Sequence, residues 1–197
     1  MPPAPVAILG CVGVPARYGG FETLAEQLVR AAERTGRAGS IAVYCSAPQA
    51  GADRPPHVHG APLRYVPFRA NGVQSIPYDI LSMVLAARRG HRPLLILGVS
   101  GTLALPLLRG FSRARLVVHV DGIEWRRAKW RGAARAFLRL SEWMAVRWAH
   151  EVIADNAEIA RYVEKRYRRQ PATLAYGGDQ ALAEPAAASP GPALPDR

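Results

Sequence analysis

The sequence predicts an α/β fold with a Rossmann-like, mostly parallel sheet and helices on both faces. Short apolar runs alternate with segments of helical periodicity along the chain, which is typical of such a fold. The run at residues 94–100 is apolar throughout, as expected of a strand that is covered on both faces. A glycine-rich turn at residues 13–22 joins the first apolar run to the first helical segment, and such a turn is typical of a ligand-binding edge.

Strands and helices are predicted in alternation over most of the chain. Strands are predicted at residues 6–12, 40–46, 63–68, 94–100, 115–122, 151–155 and 172–176. Helices are predicted at residues 23–34, 78–89 and 101–108, from residues 124–130 through to about residue 149, and after Asn156 as far as Tyr167. Pro67 favours an edge position for the third strand, and Asn156 is a candidate N-cap. Apolar positions of the long helix predict one inward face: Ala134, Phe137, Leu138, Trp143, Met144 and Trp148.

The length of 197 residues suits one domain with a core of its own. We assign residues 1–179 to that domain. Residues 180–197 are rich in Ala and Pro without apolar periodicity, which predicts a disordered tail. The N-terminus lacks the pattern of a signal peptide, and glycine and proline interrupt the longest apolar run, residues 94–108, so no membrane span is predicted. We therefore expect a cytoplasmic protein.

The net charge of +11 predicts attraction to an anion, such as a phosphorylated ligand, an anionic membrane or nucleic acid. Cys11 and Cys45 each fall near the end of a predicted strand, and their spacing matches no zinc motif. We expect buried, reduced thiols, in keeping with a cytoplasmic protein. His57 and His59 stand two residues apart in a loop, where a metal clip is the less favoured alternative to ordinary histidines.

The glycine-rich turn is the strongest candidate binding element. Gly19 and Gly20 let a ligand approach the backbone because no Cβ stands in the way. The helix that follows points its unpaired N–H groups and its positive dipole end at the turn, which suits phosphate or another anion. The turn is neither a dinucleotide fingerprint nor a P-loop, since both motifs are missing. A purely steric need for glycine is the alternative.

Other polar residues also follow predicted strands, and the carboxyl ends of parallel strands share one edge of the sheet. These residues are Ser100, Gly101, His119, Asp121, Glu124, Asp155, Asn156 and residues 177–179. Their convergence predicts a single site at that edge.

Four longer motifs lie along the chain: residues 13–23 (GVPARYGGFET), 120–130 (VDGIEWRRAKW), 153–156 (IADN) and 175–179 (AYGGD). Together they resemble the N-terminal domain of family 4 glycosyltransferases of the bacterial rhamnosyltransferase type, a domain long catalogued as of unknown function. The resemblance implies a GT-B fold, in which two Rossmann-like domains enclose the active site. The N-terminal domain mainly takes the acceptor and the C-terminal one most of the nucleotide-sugar. Since the sequence ends where the linker should begin, we expect the C-terminal donor domain to be absent and this chain alone to be inactive.

The resemblance also implies roles for individual residues. Gly19, Gly20 and Arg17 would approach the donor diphosphate, and Asp121 and His119 would lie beside the reacting sugar as the candidate catalytic residues. Asp121 would orient an acceptor hydroxyl or accept its proton, the alternative being an aspartate that caps its own loop. For His119 a core role is the favoured alternative. The acceptor side and cleft are assigned to Phe21, Glu22, Glu124, Trp125, Arg126, Arg127, Lys129, Asp155 and Asn156.

Several arginines and tryptophans of the second motif leave more than one interpretation open. Arg17, Arg126, Arg127 and Lys129 are candidates for contact with phosphate groups of the donor or of a lipid-linked acceptor, or else ordinary solvated charges. Trp125 and Trp130, with the arginines between them, predict a face for an anionic membrane, which would make the protein peripheral on its inner side. Periodicity places Trp143 and Trp148 nearer the core.

The implied reaction is transfer of a rhamnosyl or other hexosyl group from a nucleoside-diphosphate sugar to a saccharide or lipid-linked acceptor, in cell-surface polysaccharide synthesis. No cofactor or metal is expected, because helix dipoles and basic side chains can stabilise the departing diphosphate. A non-catalytic module that binds a nucleotide or another anion is the alternative. Nucleic-acid binding is not expected, since no recognised motif accompanies the charge.

Overall fold

The computed structural model describes residues 5–17, 19–128 and 130–174. In this part of the chain one sheet of eight strands is flanked by six α-helices. The strands are β1 (Val6–Leu9), β2 (Ile41–Ser46), β3 (His57–Val58), β4 (Ala61–Val66), β5 (Leu94–Leu97), β6 (Leu116–Val120), β7 (Glu151–Ala154) and β8 (Ala172–Thr173). The α-helices are α1 (Gly20–Arg34), α2 (Ala47–Ala50), α3 (Ser75–Arg88), α4 (Leu105–Phe111), α5 (Gly132–Trp148) and α6 (Ala157–Tyr167). Short 3₁₀ turns lie at Gly72–Gln74, Thr102–Ala104 and Glu124–Arg126.

The strand order across the sheet is β3-β4-β2-β1-β5-β6-β7-β8. All neighbouring strands are parallel except β3 and β4, which are antiparallel. The chain moves outward from β1 on one side and then returns to place β5 on the other side. The order in which strands are added therefore reverses between β1 and β5, and in this architecture ligands bind at the carboxyl ends of the strands beside that switch point. The predicted Rossmann-like, mostly parallel sheet is confirmed.

Both faces of the sheet are covered, because side chains of successive strand residues enter different cores. In β1, Ala7 and Leu9 belong to the larger hydrophobic cluster, which packs α3, α4, α5 and α6 onto the sheet. Ile8, between them, belongs to a second cluster that includes Ala25 and Val29 of α1. This alternation is what a parallel strand buried on both faces requires.

The region after β2 differs from its sequence prediction. The third predicted strand was expected at an edge because of Pro67, but β4 ends at Val66 and lies between β2 and β3. The edge is occupied instead by β3, a two-residue strand in a segment that was predicted to be a loop. His57 and Val58 of β3 pair with Pro62 and Ala61. The prediction was wrong because so short a strand carries no periodicity.

The segment between β6 and α5 also differs from its prediction. Residues 124–130 were expected to lead continuously into the long helix, but the 3₁₀ turn Glu124–Arg126 is separate from α5, which begins at Gly132. Arg131 has extended backbone angles, φ −135° and ψ 161°, and Gly132 has φ +52°. The helix therefore begins only after a sharp change of chain direction at this glycine.

The inward face of α5 was predicted incorrectly at one important position. Its buried residues are Leu138, Ser141, Glu142, Ala145 and Val146. Trp143, which was expected near the core, is 45 % exposed, whereas Trp148 is half-buried as expected. The inward position is occupied by Glu142, because the hydroxyl groups of Tyr162 and Tyr167 on α6 both donate hydrogen bonds to its Oε1. Ala134 is also exposed, near the start of the helix.

Cys11 and Cys45 are both buried and unbonded to one another, as the sequence predicted. Burial raises the pKa of the Cys45 thiol to about 11 and raises that of Cys11 well above its usual value. No helix in the described part of the chain has the length and apolarity needed to cross a bilayer. The predicted tail at residues 180–197, the marked residues 177–179 and Lys129 lie outside the described residues.

Candidate functional site

The loop between β1 and α1 is held in place by carboxylates of the helix that follows it. Glu22, only 7 % exposed, accepts a hydrogen bond at 2.7 Å from the backbone N–H of Val12. Glu26 accepts one at 2.6 Å from the N–H of Ala16. Since buried backbone N–H groups are costly to leave unpaired, these bonds fix the path of the loop. Glu22 also lies in the first turn of the helix, where negative charge is favourable.

Two glycines of this loop are required by close contacts within the chain. Gly10 has φ +87°, and a Cβ there would lie 2.1 Å from the carbonyl oxygen of Leu97 on β5. Gly19 has φ +121°, and its Cβ would lie 2.1 Å from Oε2 of Glu22. The absence of a side chain at Gly19 therefore makes room for the Glu22 carboxylate. Gly20 is the first residue of α1. Contact of Gly19 or Gly20 with a donor diphosphate stays a prediction.

A cavity of about 440 Å³ opens beside this loop. It lies at the carboxyl ends of β1, β2 and β4, because the residues that line it follow these three strands. The polar groups in its wall are those of Arg17, Glu22, Gln49, Asp53, Tyr65, Arg69 and Asn71. The amide oxygen of Gln49 accepts a hydrogen bond at 2.7 Å from the N–H of Ala70, which ties two sides of the rim together. A cavity with guanidinium, amide and phenol groups can bind the hydroxyl and anionic groups of a small polar ligand.

Phe21 links the glycine-rich loop to the strands on the other side of the switch point. Its ring meets that of His119 edge-on, with 5.9 Å between centroids and 88° between planes. A Cβ on Gly98 would come within 3.4 Å of the Phe21 ring, so glycine at that position allows the ring to lie over the end of β5. His119 is fully buried, and burial lowers the pKa of its imidazole although the charge of Asp155 opposes this. The ring is therefore neutral at neutral pH.

Two aspartates stand at the carboxyl ends of β6 and β7. Asp121 follows β6 and is exposed, yet the surrounding protein desolvates its carboxyl and raises its pKa, with a further increase from Glu124 and an opposing effect of Arg127. Burial, and then the nearby charge of Asp121, raise the pKa of Asp155 against the effects of His119 and Asn156. Because β6 and β7 are adjacent, the charge of Asp121 acts on Asp155. A carboxylate with a raised pKa is the better proton acceptor.

Asn156 has two contacts that explain its position after β7. Its Oδ1 accepts a hydrogen bond at 2.9 Å from the N–H of Ile159, so the predicted N-cap of α6 is confirmed. Its Nδ2 donates to Oδ1 of Asp155 at 2.8 Å. The cap therefore holds the Asp155 carboxylate in a defined orientation at the edge of the sheet.

The charged and aromatic residues after Asp121 turn away from the glycine-rich loop. Glu124 accepts a hydrogen bond at 2.9 Å from the indole of Trp130 and pairs with Arg127 at 2.9 Å. The guanidinium of Arg126 lies over the ring of Trp125 at 5.3 Å and over that of Tyr162 at 5.4 Å. Arg126 and Trp125 therefore pack on the flank formed by α5 and α6.

A buried acid near the switch point was missed in the sequence. Asp79, on α3, is 4 % exposed and accepts a hydrogen bond from the backbone N–H of Gly101, after β5. Burial raises the pKa of its carboxyl to about 8. A Cβ on Gly101 would lie only 2.4 Å from that of Asp79. An aspartate within an otherwise apolar helical stretch was the available signal.

The edge of the sheet thus brings together most, but not all, of the residues chosen from the sequence. Phe21, His119, Asp121, Asp155 and Asn156 gather near the ends of β5, β6 and β7, while Arg17, Gly19 and Glu22 belong to the loop beside the cavity. Within the described ranges, no three His, Cys, Asp or Glu side chains are grouped as metal ligands would be. His59 contacts Glu33, with its Nδ1 3.0 Å from a carboxylate oxygen.

Comparison with known proteins gives one family and one fold. The model of a domain of unknown function, DUF1972, matches residues 4–179. Among curated proteins, none shows significant sequence similarity to the chain. Among solved structures, the chain resembles sucrose-phosphate synthase from Thermosynechococcus elongatus, a glycosyltransferase of the GT-B fold, with a TM-score of 0.64 and 14 % identity. The match covers 87 % of this chain and 47 % of that one, so the chain spans about half the length of the synthase.

Proposed function

The chain belongs to the DUF1972 family, and from that premise and its glycosyltransferase-like fold we propose that it is the acceptor-side half of a sugar transferase. The reaction is the transfer of a rhamnosyl or other hexosyl group from a nucleoside-diphosphate sugar. The acceptor is a saccharide or a lipid-linked saccharide of a cell-surface polysaccharide. The type of enzyme is a retaining, family 4-like transferase of the rhamnosyltransferase kind, acting in the cytoplasm.

The observation that carries the proposal is that a polar cavity and a pair of carboxylates with raised pKa values share the carboxyl edge of one Rossmann-like sheet. The cavity offers the guanidinium groups of Arg17 and Arg69 and the amide of Asn71 for hydroxyl or anionic groups of an acceptor. Asp121 and Asp155 lie farther along the same edge. Sugar transfer requires both a binding surface for the acceptor and a group that takes up a proton.

In the proposed reaction, an acceptor hydroxyl oxygen forms the new bond to the anomeric carbon on the same face from which the diphosphate departs, as retention of configuration requires. Asp121 orients that hydroxyl and takes its proton, aided by its raised pKa. Asp155, which follows the adjacent strand, is oriented by Asn156, and its own pKa is raised by burial and by the charge of Asp121. His119, whose ring meets that of Phe21 edge-on, acts as a positioning residue of the site and not as a catalytic one.

The donor approaches from the side of a second domain, which would hold most of the nucleotide. Gly19, Gly20 and Arg17 face the diphosphate, and the start of α1 favours its negative charge. Basic side chains and helix dipoles can stabilise the departing diphosphate, so the proposal requires no metal. Without that domain, the chain on its own is expected to bind substrates weakly and to transfer nothing.

Calorimetric titration with nucleoside diphosphates and nucleoside-diphosphate hexoses tests the proposal. We expect dissociation constants in the millimolar range for the natural chain and a loss of binding in Gly20→Val, whose side chain enters the diphosphate approach. Gly110→Val is the matched control, since a Cβ at Gly110 has no neighbour within 4 Å. Binding that is unchanged in Gly20→Val contradicts the diphosphate role of the loop. Binding without transfer, even when a donor domain is supplied, favours a non-catalytic nucleotide-binding module.

A further inference from the structure

A second concave surface lies on the flank of the domain, away from the carboxyl edge. It has a volume of about 520 Å³ between α5, α6 and the 3₁₀ turn that contains Trp125. We call it the flank groove and define it by Trp125, Arg135, Arg139, Leu140, Trp143 and Arg166. Leu140 and Trp143 are 46 % and 45 % exposed. The flank groove therefore combines apolar surface with cationic side chains.

The outer face of α5 explains how these side chains come together. Arg135, Arg139 and Trp143 are four residues apart, and Leu140 precedes Trp143 by three, so these side chains form one stripe along the helix. The inward face, which includes Leu138 and the residues one and two turns after it, is buried against the domain. The outer stripe is therefore an amphipathic surface on a helix that is already anchored by its other side.

The cations of the flank groove surround an aromatic ring. Arg139 lies 5.7 Å and Arg166 5.5 Å from the centre of the Trp125 ring, and Arg126 lies 5.3 Å from it. Among the described residues, none that lines the groove is acidic. The cationic side chains of the flank groove favour an occupant with anionic groups at its surface, and the exposed apolar side chains favour one with an apolar interior.

We propose that the flank groove docks the protein on an anionic lipid bilayer, with lipid phosphates at the arginines and acyl chains against Leu140 and Trp143. Tryptophan and arginine are the residues that favour the boundary between headgroups and hydrocarbon. This assignment is independent of sugar transfer. The proposed membrane surface differs from the one predicted from the sequence, because its apolar contacts are Leu140 and Trp143 and not Trp130. Trp125 belongs to both surfaces, and in the flank groove arginine side chains pack on its ring.

Other classes of partner match either the charged or the apolar side chains of the flank groove, but not both. An apolar helix, from a second copy or a downstream segment, would cover three arginines without supplying anions, and buried unpaired charge is costly. Nucleic acid would supply phosphates but no apolar counterpart for Leu140. A bilayer supplies both, and the net charge of +11 adds a long-range attraction.

Sedimentation with lipid vesicles tests the proposal. We expect binding to vesicles that contain phosphatidylglycerol and little binding to pure phosphatidylcholine. The double variant Arg135→Gln/Arg139→Gln should weaken binding about thirtyfold, or about fivefold for each arginine. Its matched control is Arg34→Gln/Arg88→Gln, which removes the same charge from the ends of α1 and α3. Equal weakening in the two double variants overturns the proposal, because it would show attraction to the whole charged molecule.

The apolar contacts are tested separately. Leu140→Gln/Trp143→Gln should weaken vesicle binding about tenfold, whereas Val73→Gln/Phe111→Gln, at exposed apolar residues elsewhere, should not. Thermal unfolding of each variant verifies that it folds, and the single variant Arg135→Gln, which leaves the Trp125 ring packing intact, provides a second test. Concentration-dependent dimers abolished by Leu140→Gln/Trp143→Gln, or tighter binding to single-stranded DNA than to vesicles, would overturn the proposal.

Discussion

The β1–α1 loop and the segment after β6 leave the same edge of the sheet but use their polar side chains in opposite ways. In the loop, Glu22 is buried and binds a backbone N–H, and Gly10 fits tightly against β5. After β6, Asp121 is exposed, and a Cβ on Gly122 would have no neighbour within 4 Å. One region is closed by contacts within the chain, and the other is open.

This difference separates carboxylates that maintain the fold from carboxylates that are available for chemistry. Glu26 accepts hydrogen bonds from the N–H of Ala16 and from Arg30, which outweigh the effect of burial and lower its pKa, as expected of an acid that is kept ionised by donors. Asp121 and Asp155 have raised pKa values, because desolvation dominates at both carboxyl groups and a neighbouring carboxylate adds to it, Glu124 at Asp121 and Asp121 at Asp155. We infer that the loop is the rigid scaffold of the edge and that the aspartates are its reactive groups.

The largest loss of stability is expected on substitution of Gly10. Gly10→Ala places a methyl group 2.1 Å from the carbonyl oxygen of Leu97 at a positive φ, so either β1 or β5 must move. We expect a loss of about 3 to 5 kcal/mol in the free energy of unfolding, measured by urea denaturation. The matched change Gly122→Ala, in open space after β6, should alter it by less than about 0.5 kcal/mol. Similar losses in both variants would show that the two regions are equally packed.

The second-largest loss of stability is expected on substitution of Glu22. Glu22→Ala leaves the N–H of Val12 without its acceptor in a buried place and should cost about 2 to 3 kcal/mol of unfolding free energy. Glu124→Ala removes a partly exposed ion pair with Arg127 and the acceptor of the Trp130 indole, so its cost in unfolding free energy should be only about 1 kcal/mol. Chemical denaturation of both variants measures the difference. A cost for Glu124→Ala equal to that of Glu22→Ala contradicts the contrast between the loop and the open segment.

The smallest effects should appear in the pH dependence of stability. The pKa of Glu26 is lowered in the fold, so its contribution is present at neutral pH and is lost as the pH falls below the usual glutamate range. The pKa of Asp155 is raised, so its ionisation costs stability as the pH rises from the usual aspartate value through the folded one. Glu26→Gln should therefore lower stability at neutral pH, and Asp155→Asn should increase it slightly there.

Denaturation of both variants between about pH 3 and about pH 7 measures these two slopes. In acid, where both carboxyl groups are protonated, the free energy of unfolding of each variant should approach that of the natural chain. Destabilisation by Asp155→Asn at neutral pH would mean that its carboxylate is a structural acceptor like that of Glu22.

The parts of the fold that could be predicted are those governed by local pattern. Alternating apolar and helical segments predict the sheet, and an asparagine after a strand predicts the cap at Asn156, because both depend on neighbours in sequence. The incorrect predictions concern residues whose contacts are far away in sequence. Glu142 takes the inward position on α5 because of tyrosines 20 and 25 residues away, which displaces Trp143 outward.

The candidate site shows the same limit. Its edge of the sheet was predicted from strand ends, and that edge does gather Asp121, Asp155 and Phe21. The reason for Gly19 was not predicted, since a carboxylate folding back from Glu22 leaves no periodic signal. Asp79 was overlooked because its partner, the N–H of Gly101, lies beyond the next strand.

Chemical-shift mapping of the isotopically labelled chain tests the central claim most directly. A nucleoside-diphosphate hexose and a panel of oligosaccharides would be titrated in turn while backbone amide signals are followed. Our account predicts shifts at Arg17, Arg69 and Asn71 for the saccharides, extending to Asp121 and Asp155, with the flank groove unaffected. Saccharide-dependent shifts confined to the flank groove, or none at the carboxyl edge with any ligand, would contradict it.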